Sequence, residues 1–209
     1  MSVEELAGLS PEQLCEAITT VGAVDLRGNR SATHPLDIAS PRIGSEYRPD
    51  LVKLCVGNQV VFEKLTLALD SPDTYTRAIA ATALADMGDR RAVSLLLSRL
   101  DKEHPMRQVE EGCPAIPLNM HGIVYENLAE KCMLSALETL GDSEAIPALA
   151  KMADRDEGAR ASELVAAIST IGQRHRPSKE AVAAMRHFES SSNAEIAATA
   201  KSFLTTHPR

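Results

Sequence analysis

The sequence has no tryptophan and only three phenylalanines and three tyrosines in 209 residues. With β-branched runs also few, a sandwich or barrel is excluded, because such folds draw on Val, Ile, Thr and Tyr. No apolar stretch approaches the ~20 residues that a membrane-spanning helix needs. There is no excess of basic charge: 22 Lys and Arg face 29 Asp and Glu, giving a net charge of -7 and a pI near 5.4. Phosphate neutralisation by clustered cations is therefore not expected. Arg90-Arg91 and Arg174-His175-Arg176 are short clusters that read as solvated turns. The opening Met-Ser-Val-Glu-Glu has neither a basic nor an apolar leader region, so no secretion signal is expected. The four cysteines, Cys15, Cys55, Cys113 and Cys132, form no CxxC pair and are expected to be reduced thiols in a cytoplasmic protein. Gly28 and Gly57 are isolated, so no glycine-rich phosphate cradle is present.

What the chain does have is alanine and leucine among charged residues, the composition of helices packed closely through small side chains. It also repeats. Met87-Gly88-Asp89-Arg90-Arg91-Ala92-Val93 returns as Leu140-Gly141-Asp142-Ser143-Glu144-Ala145-Ile146, an offset of 53. Phe62, Leu65, Leu69 and Asp70 align with Val93, Leu96, Leu100 and Asp101 at an offset of 31, as Leu140-Gly141 does with Ile171-Gly172. The longer offset is thus one period plus 22 inserted residues. A period of about thirty with two apolar helical stripes per unit predicts a helical solenoid.

In the clearest unit the spacing predicts helix A over 59–70, with Phe62, Leu65 and Leu69 inward. Ser71-Pro72-Asp73 then supplies a cap and a first-turn proline. Helix B is predicted over 73–87, with Ile79, Ala80, Ala83, Leu84 and Met87 inward, ended by Gly88, after which Asp89 can cap the next helix. A last helix over 191–204 should turn Ile196, Ala200 and Leu204 inward.

The pattern Arg77-x-x-Ala80-Ala81-x-Ala83-Leu84-x-x-x-Gly88-Asp89-x-x-Ala92-Val93-x-x-Leu96-Leu97-x-x-Leu100 resembles the HEAT-like repeat named after phycobilisome lyases. The resemblance extends over about 59–204, with Glu130 standing where the pattern would place Arg. It implies an all-α fold, an α-α superhelix of about four helical pairs. Functions in that group range from chromophore lyases to regulatory subunits and plain scaffolds.

Two segments interrupt the period. An N-terminal portion, 1–57, is expected to hold a helix over about 11–21, with Ser10 as N-cap and Pro11 at N1, followed by an irregular stretch over 22–57. That stretch caps the first repeat or offers a binding loop. The repeat array, 58–209, carries the insertion at about 101–122. Long irregular connections are often functional, and in solenoids they tend to lie on the binding face.

Chemistry finds little support. Cys113 with His104 and His121 lacks an orienting third group. Adding Cys132 gives ligand spacings of 9, 8 and 11, which match no compact zinc motif. No metal, cofactor or catalytic residue is expected, and the chain is read as no enzyme. The favoured reading is a scaffold or adaptor that binds another protein, and neither nucleic acid nor a membrane. Its concave face would present Thr74, Arg77, Glu130 and Arg160, and its irregular edges Tyr47, Arg48, Arg107, Glu110, Glu111 and His121. Arg77 has a competing role, pairing with Asp89 between repeats. The alternative function is a small-molecule or tetrapyrrole-handling, lyase-like protein, for which six Phe and Tyr in total are a poor supply.

Overall fold

The computed structural model describes residues 1–21, 45–103, 128–156, 158–174 and 177–207. Among them are eleven helices. The N-terminal portion holds α1 (Val3–Gly8), α2 (Pro11–Ala17) and α3 (Pro49–Leu54). The repeat helices follow as α4 (Gln59–Ala68), α5 (Thr74–Met87), α6 (Ala92–Leu100), α7 (Leu128–Leu140), α8 (Ile146–Arg155), α9 (Gly158–Arg174), α10 (Lys179–Phe188) and α11 (Ala194–Thr206). Two three-residue strands, β1 (Thr19–Val21) and β2 (Ser45–Tyr47), pair antiparallel with Thr19 opposite Tyr47. The class is all-α, and the sequence of helical pairs is that of a HEAT-like solenoid.

The chain divides into two compact units. One comprises Met1–Asp89 with Lys102–Met133, the other Arg90–Asp101 with Leu134–Arg209. In the first, α2 packs on α4 and α5, α3 on α5, and α4 on α5. Phe62, Leu65 and Leu69 are buried as their spacing predicts, and so are Ile79, Ala80, Ala83, Leu84 and Met87 of α5. Burying each of the larger side chains is worth ~1.5–3 kcal/mol, so this stripe rather than helix propensity holds α4 and α5 in place. The described helices of the N-terminal portion share the first repeat's core, through Leu6, Leu14, Cys15 and Val52, and residues 22–44 of the irregular stretch lie outside the described residues.

In the second unit α9 packs on α8, α10 and α11, and α10 packs on α8 and α11. At the C-terminal end Ile196 and Ala200 are buried, but Phe203 and not Leu204 completes their stripe. An aromatic at i+3 from Ala200 fills the space better than the aliphatic at i+4.

Local signals differ in detail from their sequence reading. Asp73 is the N-cap of α5, its carboxylate accepting from the Thr76 amide, so Pro72 lies before the helix and not in its first turn. Ser71 instead accepts from the Asp73 amide at 3.2 Å. α6 begins from Arg91, whose own side chain makes no cap hydrogen bond. α2 ends at Ala17 because the chain turns there into β1. Gly88 takes the left-handed conformation, φ 69°, that closes α5.

The aligned glycines have unlike roles. A Cβ on Gly141 would lie 2.4 Å from the Leu137 carbonyl oxygen, and one on Gly172 would lie 2.7 Å from the Ala181 Cβ and 3.0 Å from the Phe203 ring. Gly88 is required by backbone conformation, whereas Gly172 is required by the approach of α10 and α11 to α9.

Candidate functional site

The residues proposed for the binding face that the structure describes are buried or half-buried. Arg77, on the first turn of α5, is buried. Its Nε donates to Glu103 Oε1 at 2.5 Å, and its Nη2 to Glu103 Oε2 and Thr74 Oγ1, each at 3.2 Å. Its Nη1 donates to the carbonyls of Ser71 at 2.8 Å and Pro72 at 3.0 Å. All five guanidinium donors are thereby used. The acid that pairs with Arg77 is Glu103, 26 residues on, and not Asp89. Two of the bonds go to carbonyls just beyond the end of α4, where the backbone has left its helical ladder.

Arg160, near the start of α9 in the second unit, behaves alike. It is buried, its Nη1 donates to Asp156, and its Nη2 donates to the Leu100 carbonyl at 2.8 Å, at the C-terminus of α6. A cation at a helix C-terminus meets the negative end of the helix dipole as well as an orphan acceptor. Glu130, the counterpart of Arg77 at the 53-residue offset, is buried on α7. Arg77 and Arg160 are internal fasteners, and Glu130 shares their burial. For the two arginines, the concave-face role expected of them gives way to the need to satisfy backbone carbonyls at or just beyond the ends of α4 and α6.

Tyr47 is half-buried. Its hydroxyl donates to Asp86 Oδ2 at 2.8 Å, joining β2 to the last turn of α5. Burial, with the neighbouring Asp86 charge, pushes the phenol well above its usual range. Arg48 forms a fork on Asp50, at 2.8 and 2.5 Å, and stays partly exposed. Thr74 is half-buried under Arg77. Arg107, Glu110, Glu111 and His121 lie outside the described residues, as do His104 and Cys113.

Where the chain enters the insertion, two ion pairs hold it, one in each unit. Asp101 accepts from Arg155 Nη1 at 2.7 Å, and Glu103 takes the fork from Arg77. Arg155 also donates to Asp156 at 3.3 Å, and the two acids, Asp101 foremost, raise the guanidinium further above its normal range. Sequence reasoning did not assign roles to Asp101 or Glu103. The offset alignment of Asp70 with Asp101 marks the end of a helix, but nothing in the local pattern names a partner 54 residues away.

Among the described residues, Cys15, Cys55 and Cys132 are buried free thiols. Burial pushes Cys15 up to about 12 and Cys132 to about 11, the state of an inert thiol. No group of three or more His, Cys, Asp or Glu among the described residues could hold a metal ion. A cavity of about 270 Å³ in the second unit is lined by Arg90, Asp142, Ser143, Ile146, Ile171, Gly172 and Ser178. Its charges are already opposed, because Arg90 pairs with Asp142. No helix among the described residues is long and apolar enough to cross a membrane.

The helical pairs, the buried arginine at the head of the second helix and the glycine closing it define a HEAT-like repeat protein. The comparison with known families agrees: residues 76–102, spanning most of α5 and all of α6, match the family described as the PBS lyase HEAT-like repeat. No curated protein matches the chain.

Proposed function

We propose that the protein is a non-catalytic scaffold or adaptor that binds another protein through its concave helical face and the insertion at about 101–122. The observation that carries this reading is the pinning of the insertion's entry, with Arg155 on Asp101 and Arg77 on Glu103. A neutral linker has no need of two ion pairs at its root, one of them using a buried arginine. An anchored departure point limits the directions the following segment can take, and pre-organisation of this kind lowers the entropy lost on binding. The helical part of such a face would come from exposed positions between the buried ones.

The test is capture from source-cell lysate with the tagged chain, beside a variant in which 104–121 is replaced by a short Gly/Ser link that leaves Glu103 in place. One protein retained by the parent and lost by the variant supports the reading. Equal retention by both assigns binding to the helices. No reproducible capture by either removes the scaffold reading.

A further inference from the structure

We draw no further inference here: the strongest candidate, the exposed apolar face of α4 that carries Val60 and Leu67, is an unpartnered helix face, and nothing in the structure shows what covers it.

Discussion

Replacing Arg77 tests whether it is a fastener or a partner-facing side chain. The guanidinium makes five hydrogen bonds, two of them a fork onto Glu103. A typical internal hydrogen bond contributes ~1 kcal/mol net, and one to a charged group ~1.5–3 kcal/mol. Arg77→Lys keeps the charge but has three donors on a compact head and cannot reproduce the fork. At least two of the five bonds go, so the loss should be about 2 kcal/mol. Arg77→Met removes the charge as well, strands the Ser71 and Pro72 carbonyls, and leaves Glu103 to turn toward water. Because Glu103 is partly exposed, the loss is put at about 3–4 kcal/mol, toward the lower part of the range for a broken buried pair. Glu103→Gln keeps one acceptor for the fork, sets its amide N–H2 against the other Arg77 donor and deletes the opposing charge, and should cost about 2 kcal/mol. Urea titration of the three variants reads these losses as midpoint shifts at constant slope. If Arg77→Lys matches the parent within ~0.5 kcal/mol, the buried fork is not a structural tie. The reasoning fails equally if Glu103→Gln costs more than Arg77→Met.

Gly172→Ala should destabilise the protein even though alanine is the better helix former by about 1 kcal/mol. The new Cβ meets the Ala181 Cβ at 2.7 Å and the Phe203 ring, and overpacking of a fixed neighbour costs ~1–3 kcal/mol. Adding Ala181→Gly should restore part of the loss in a thermal melt, while Gly8→Ala, which meets nothing within 4 Å, should not lower Tm. For the thiols, burial foremost raises Cys15 to about 12 and Cys132 to about 11, against an ordinary 9.0. The folded state then holds protons that the unfolded chain releases, so stability is complete below about pH 9 and falls as pH rises from there toward 11–12. Urea midpoints across that range should decline less steeply in Cys15→Ala, and equal slopes would refute the assignment. At neutral pH native Cys15 and Cys132 should resist Ellman's reagent until urea is added.

The helices were legible because their cause is local and periodic. Phe62, Leu65 and Leu69 or Ile79, Ala83 and Leu84 fall on one face wherever the chain is helical, and only burial of that face stabilises the helix. Gly88 is legible for the same reason, since a left-handed residue after an apolar stripe is a local demand. The match of 76–102 to a HEAT-like repeat rests on this same local pattern. The N-terminal helices were legible only in part: Ser10-Pro11 marked the start of α2, but the core shared with α4 could not be read from 1–57 alone.

The charged residues are another matter, because an arginine on a helix face looks alike whether it meets water, a partner or a buried carboxylate. The repeat pattern offered Asp89 as the partner of Arg77, yet the tertiary structure brought Glu103 to it across 26 residues, just as it brought Leu100 to Arg160 across 60. It also buried Glu130 and joined Tyr47 to Asp86, and it gave Gly172 a packing role that its alignment with Gly141 does not reveal. The sequence by itself determined the helices of the clearest repeat and the face each buries, since both follow from interactions within a few residues. The partner of each polar group, and the apolar face of α4 that remained uncovered, were decided only when distant segments met, because hydrogen bonds and close contacts depend on ångström-scale positions that no periodicity carries.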